Sequence, residues 1–396
     1  MTEWKKFKLS EIGEVVGGAT PSTKDSSNYD GNISWITPKD LASFTGRYIK
    51  KGERSITKKG FESCSTKMLP KNSILFSSRA PIGYVAIAAN DLCTNQGFKS
   101  FIPGEKVDYL FMYYVLKHNK SYIESLGSGT TFKEVSGNVM KKIEVTIPID
   151  ISVQKKISSI LGSIDDKIEL NNKINNNLEQ QAQAIYRERF EEAPSAGLPS
   201  GWRVVPLGEV AIISNKSFNP LKETEIMLEH YSIPAFDEIK FPVFELSTAI
   251  KSNKFVIDAS CIMISKLNPT TKRVWKPYCL TDNAVCSTEF IVYKAKDETI
   301  TDFLYSVIDS NSFSEFMCSH VTGSTGSRQR TTPSDTLSYE LILPSNYELA
   351  EFQSVVSPMY AQIRINRIEN EKLKKLRDSL LPKLMSGELD VSDIDL

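Results

Sequence analysis

Apolar and polar positions follow two rhythms along this chain, and each rhythm occurs twice. Within residues 1–150, short apolar runs of strand type (Ser73-Ile-Leu-Phe76, Tyr84-Val-Ala-Ile-Ala88 and Ile143-Glu-Val-Thr-Ile147) are separated by Gly, Asn and Pro. One amphipathic stretch, 107–126, sets Leu110, Phe111, Tyr114 and Val115 on a single helical face. The same order returns in the second half as Cys261-Ile-Met-Ile264, Phe290-Ile-Val-Tyr293 and a helical stretch at 301–317. The second rhythm fills 153–190, where Ile157, Leu161, Ile164, Ile168, Asn171, Asn175, Leu178, Ala182 and Ile185 recur by threes and fours. It reappears less cleanly at 350–385 through Met359, Ile363, Asn366, Asn370, Leu373, Arg377 and Leu380. Such spacing is the seam of a coiled coil. At ~1.5 Å per residue, each helix would span roughly 55 Å.

The repetition is literal in places. Trp4-x4-Leu9-x-Glu11 recurs as Trp202-x4-Leu207-x-Glu209, and the run 127–148 matches 323–344. A long internal period of this kind sets the architecture. We expect an α/β (α+β) fold of two tandem modules, 1–150 and 193–347. A central helical segment at 151–192 follows the first, and a C-terminal helical segment with its tail, 348–396, follows the second. Residues 193–201 form a Pro/Gly/Ser connector. Asn171 and Asn175 in one seam, and Asn366 and Asn370 in the other, would meet if the helices ran antiparallel, fixing register at some cost in stability. The alternative is an Asn-rich surface helix.

Composition adds little until it is divided. The chain has 396 residues and no net charge, but residues 1–150 carry 21 basic against 15 acidic side chains and residues 193–347 carry 14 against 17. By overall charge only the first module is drawn to phosphates, and the second depends on local clusters. The six cysteines form no Cys-x-x-Cys pair, and the three histidines show no metal-ligand spacing. This predicts reduced thiols, no metal site and a cytoplasmic protein. No apolar run approaches the ~20 residues of a membrane helix.

Several motifs together resemble the specificity (S) subunits of type I restriction–modification systems. They are Trp35-Ile-Thr-Pro-Lys-Asp-Leu41, the stretch 69–84, Thr94-Asn-Gln-Gly-Phe98, Gly127-Ser-Gly-Thr-Thr-Phe132, Gln154-Lys-Lys-Ile-Ser-Ser-Ile-Leu161 and the closing stretch 376–388. The second half is looser, with Tyr231-Ser-Ile-Pro234 as the counterpart of the Trp35-Ile-Thr-Pro38 loop and Cys286-Ser-Thr-Glu-Phe290 as that of Thr94–Phe98. The resemblance implies two target recognition domains, each reading half of a split DNA sequence, joined by two long helices that form an intramolecular antiparallel coiled coil. It also implies a subunit without catalysis or cofactor of its own. Such a subunit docks two modification subunits, which methylate adenine N6 with S-adenosylmethionine, and through them restriction/translocase subunits. Double-stranded DNA is the expected ligand.

Reading base edges needs short polar side chains on loops, with Arg and Lys for guanine and phosphate. In the first module these requirements point to Thr37 and Lys39, to Ser78 and Arg79 after an apolar strand, and to Ser128, Thr130, Thr131 and Lys133 in a glycine-rich loop. Asn95 and Gln96 are weaker candidates, since an amide beside a strand is as often a structural group. In the second module the matching stretches hold Lys266, Asn268, Lys272 and Arg273, then Ser324, Thr325, Arg328, Gln329 and Arg330. Each loop has a plain alternative as a solvated turn. Leu373, Leu376 and Leu380 could seat a partner or serve only the helix pair.

Enzyme signatures do not appear in the sequence. An adenine methyltransferase would carry an Asn/Asp-Pro-Pro-Tyr/Phe loop, to which Asn268-Pro-Thr-Thr is the nearest approach. No dinucleotide fingerprint or P-loop occurs. The competing readings are a subunit of a fused methylase–nuclease system and a repeat scaffold that binds protein.

Overall fold

The computed structural model describes residues 2–391 apart from Ser43, Ala80 and residues 130–132, 192–196 and 323–328. The chain forms two compact units, residues 1–170 with 370–396, and residues 171–369. Each unit holds one sheet-rich module and part of both long helices, Ile151–Tyr186 and Asn346–Met385. The expected class is observed: mixed α and β, with two tandem modules and two long helices that pair antiparallel.

In the first unit, Gly13–Gly17, Lys99–Pro103, Ile74–Phe76, Val85–Ala88 and Tyr48–Ile49 form a five-stranded sheet. Its middle strand Ile74–Phe76 is buried throughout, as its continuous apolar run dictates. The long strand Tyr29–Ile36 runs parallel to Cys93–Thr94, and Trp4–Lys8 pairs with Glu144–Pro148. Helix Tyr109–His118 buries Phe111, Met112, Tyr114 and Leu116. It shares one core with Val153, Ile157 and Leu161 of the central helix and Leu381, Leu384 and Met385 of the C-terminal helix. The single helix expected over 107–126 is broken at Asn119, whose side chain donates to the carbonyl of Val115 at 2.8 Å before a second short helix, Lys120–Ser125, begins.

The second unit repeats the plan with changed strand lengths. Ala211–Ile213, Phe290–Ala295, Cys261–Ser265 and Val274–Trp275 form one sheet. Met227–Tyr231 runs parallel to Ala284–Ser287 in another, and Arg203–Pro206 pairs with Glu340–Leu343. The helix expected at 301–317 is likewise split, because Ser310 caps a new helix, Asn311–Ser319, by accepting from the amide of Phe313 at 3.1 Å.

The helix pair is fastened by polar groups that the apolar seam encloses. In the first unit, Asp165 accepts from Tyr114 at 2.7 Å and from Arg377 at 2.6 Å. Arg47, only 4% exposed, reaches the central helix, where it binds Asp166, Glu169 (3.0 Å) and the carbonyl of Gly162 (3.4 Å). Burial opposes the charge on Arg47, but the two carboxylates outweigh it and raise its pKa. In the second unit, Asn366 donates to Asn175 at 2.8 Å, Asn171 donates to Glu369 at 2.8 Å, and Arg367 pairs with Glu179. From Asn171–Glu369 to Asn175–Asn366 the partner number falls along one helix as it rises along the other, which is the antiparallel sense. All four seam asparagines, including Asn370, are buried, so they do not form a solvated surface stripe.

Candidate nucleic-acid interface

The buried strand Ile74–Phe76 delivers the chain into Ser77-Ser78-Arg79, where three segments meet. The amide of Ser78 donates to the carbonyl of Gly97 at 2.7 Å, and the carbonyl of Ser78 accepts from the amide of Val135 at 2.9 Å. Arg79 and Glu134 form an isolated antiparallel bridge, and Glu134 exchanges both backbone bonds with Ser128, at 2.9 and 3.1 Å. The Thr37–Pro38 turn closes the fourth side: a Cβ built on Gly97 would lie 2.8 Å from Pro38 Cγ. The Thr37–Pro38 turn, residues 77–79 and 95–97, and Ser128 with Glu134 are thereby brought together.

Within this junction several candidate side chains are engaged internally. Ser78 is fully buried, and its hydroxyl donates to the carbonyl of Gly97 at 3.2 Å. Contrary to the expectation from sequence, Ser78 does not present its side chain at the surface. Thr37 donates through both its amide and its hydroxyl to Asp40, each at 2.7 Å. Asn95 accepts from the amide of Gly97 at 2.9 Å, shaping its own turn, and Gln96 accepts from Thr20. Lys39 lies in the open against Glu53 at 2.8 Å, and Ser128 and Lys133 are exposed. Arg79 donates from Nε to Glu134 Oε2 at 2.9 Å, while Lys99 reaches the other oxygen at 3.2 Å. Partial burial pushes the Glu134 carboxyl up, but these two cations hold it below the usual range.

The second unit rebuilds the same junction from different residues. The amide of Lys266 donates to the carbonyl of Glu289 at 2.9 Å, and the carbonyl of Lys266 accepts from Thr331 at 3.1 Å. Leu267 and Arg330 form the isolated bridge. Asn268 takes a left-handed backbone, φ +49°, and its amide donates to Gln329 at 2.9 Å. Arg330 makes a two-pronged bond to Glu289, Nε at 3.0 Å and Nη2 at 3.1 Å, and Glu289 holds the guanidinium above its usual pKa. Lys272 turns to Asp309, meeting its carbonyl at 2.7 Å, and Arg273 forms a fork with Asp237 at 2.7 and 2.9 Å. Thr130, Thr131, Ser324, Thr325 and Arg328 lie outside the described residues.

Two partners of the candidate arginines are absent from the sequence-based selection, Glu134 and Glu289. Both are acids inside loops selected for their basic and hydroxyl content, and only long-range backbone pairing reveals whom they bind. The parallel strand register also corrects one alignment. Ile36 lies beside Thr94 and Tyr231 beside Cys286, so Ser232 rather than Ile233 stands where Thr37 does. Among the described residues, no group of three or more His, Cys, Asp or Glu side chains could hold a metal ion. No described helix is long and apolar enough to cross a membrane.

Comparison with known proteins gives a consistent result. A family model for the type I restriction modification DNA specificity domain matches residues 1–180. The chain is 34% identical to the MjaIX specificity subunit of Methanocaldococcus jannaschii, over 99% of this chain and 95% of the relative. It is 22% identical to the HindI specificity subunit of Haemophilus influenzae, over 98% of this chain and all of that one. The crystal structure of the type I restriction–modification S subunit from M. genitalium superimposes with a TM-score of 0.59 at 17% identity, covering 97% of this chain and 96% of the other. That likeness concerns the fold.

Proposed function

The chain belongs to the family of type I restriction–modification specificity subunits, and we propose that its two recognition domains each read one half of a bipartite DNA target. As a specificity subunit it recognises DNA and does not catalyse; methylation lies in other subunits. In this reading the helix pair sets the gap between the half-sites. Two adenine-N6 methyltransferase subunits, which bind the S-adenosylmethionine, dock on the chain in the cytoplasm, and restriction subunits join through them.

The observation that carries the reading is the repeated junction. The same pair of backbone bonds, Ser78 to Gly97 and Val135 in one unit and Lys266 to Glu289 and Thr331 in the other, supports loops of unrelated side chains. A scaffold preserved in geometry while its exposed residues differ suits two readers of two different words. A protein-binding scaffold has no need to seat an arginine at each such junction.

The test is methylome sequencing of cells with and without the gene. A split motif methylated on adenine should vanish with the gene and return when it is restored. A continuous motif, or no change in methylation, would refute the proposal.

A further inference from the structure

Arg79 and Arg330 occupy opposite sides of one equivalent feature. The isolated bridge joins Arg79 to Glu134 in the first unit and Leu267 to Arg330 in the second. Because Ser78 and Lys266 make matching backbone bonds, Arg79 corresponds to Leu267 and Glu134 corresponds to Arg330. The acid and the base have thus changed places across the bridge. Packing supplies the reason. In the second unit the carboxylate is Glu289, at the position of Gly97 in the first. A side chain at Gly97 would collide with Pro38 and would lie 3.0 Å from Asn95 Oδ1. The first unit has no room for an acid there, and Glu134 provides one from the facing strand instead.

The outcome is the same in both. Each guanidinium is held by a carboxylate through Nε, and among the described residues no acceptor meets Nη1 of either arginine. The outer edge of each fork remains available. These ion pairs sit at the surface, with side-chain exposures of 45% and 32% for Arg79 and Glu134, and 43% and 30% for Arg330 and Glu289. Exposed pairs of this kind add little to stability, whereas a pinned fork loses less freedom on binding. A planar donor edge fits the paired N7 and O6 acceptors that guanine presents in the major groove.

Resting on the recognition role above, we propose that Arg79 and Arg330 are the guanine-reading residues of the two domains, with Glu134 and Glu289 as their positioning residues. The two half-sites then each contain a guanine read at structurally equivalent places, although the repeat of 127–148 in 323–344 sets Arg330 against Glu134.

The test uses the chain assembled with its methyltransferase subunits, S-adenosylmethionine and a DNA library randomised one position at a time around the parent target. Arg79→Lys should lower discrimination at one guanine of one half-site on the order of 10- to 100-fold, leaving the other half-site and the gap unchanged. Arg330→Lys should do the same in the other half-site. Glu134→Gln and Glu289→Gln should loosen the same two positions by a smaller factor, at an unchanged melting temperature. They report on each site even if an arginine variant does not assemble. Equal weakening on every sequence, with a shallower salt dependence, would assign the arginines to phosphates and overturn the inference. Unchanged discrimination in all four variants would also overturn it. Failure of the parent complex to select any split target would instead count against the proposed function itself.

Discussion

Asn175 and Asn366 are 3% and 4% exposed and joined by a 2.8 Å bond, so changing one without the other strands a buried amide. Leaving a buried polar group without its partner costs about 1–3 kcal/mol. In Asn366→Leu, the added apolar burial returns about 1 kcal/mol of this. Gln362, which also donates to Asn366 at 2.7 Å, is half-buried and can turn to water. The net loss is at most about 2 kcal/mol, or up to roughly 8 °C in the melting midpoint of a unit of this size. Asn175→Leu alone should cost about the same. The double variant removes both amides, including the Nδ2 of Asn175, which finds no acceptor among the described residues. It should be as stable as the parent or more so, giving a favourable coupling of about 1–3 kcal/mol in a double-mutant cycle. Calorimetric melting of the four proteins provides the measurement. Additive losses, or a single variant more stable than the parent, would refute the claim that this pair is a specificity device that lowers stability.

Two further outcomes follow from buried charge. Arg47→Met should destabilise the first unit by about 3 kcal/mol, the low end for a broken buried ion pair, because Asp166 can return to water while Glu169 is left largely enclosed; denaturant unfolding would show it, and an unchanged midpoint would refute it. His230 is held below its ordinary value of 6.5 by burial, which outweighs its bond to Glu245 at 2.6 Å. The folded state therefore binds the proton less readily than the unfolded state, so this stabilising contribution is present above pH 6.5 and is lost as pH falls below it. His230→Gln should flatten the melting temperature between pH 7.5 and 5.5, a window set about that value; an unchanged slope would contradict the assignment.

Much of this architecture could be read from the sequence because its signals are local. The strands Ile74–Phe76 and Cys261–Ser265 announce themselves as apolar runs, and the seam of the long helices is visible as spacing. The buried seam asparagines stand out as polar residues in an apolar register. The helix breaks at Asn119 and Ser310 did not stand out, because the apolar face continues across both. The site was legible as a set of loops but not as a set of side chains. Ser78 faces inward because its backbone is pinned between Gly97 and Val135, partners 19 and 57 residues away along the chain. Arg47 finds its partners on the central helix more than 100 residues later, a pairing that no local pattern marks. The exchange of acid and base between the two junctions follows from a collision at Gly97 that no local pattern encodes.

In the proposed function, the helix pair sets the distance between two DNA readers. Deleting seven residues from each long helix, opposite one another and two turns long, removes about 10 Å of rise, close to three base pairs of duplex. Methylome sequencing of cells carrying that variant should return both original half-sites with a gap shortened by about three base pairs. Methylation of the parent target with its gap unchanged would contradict the account.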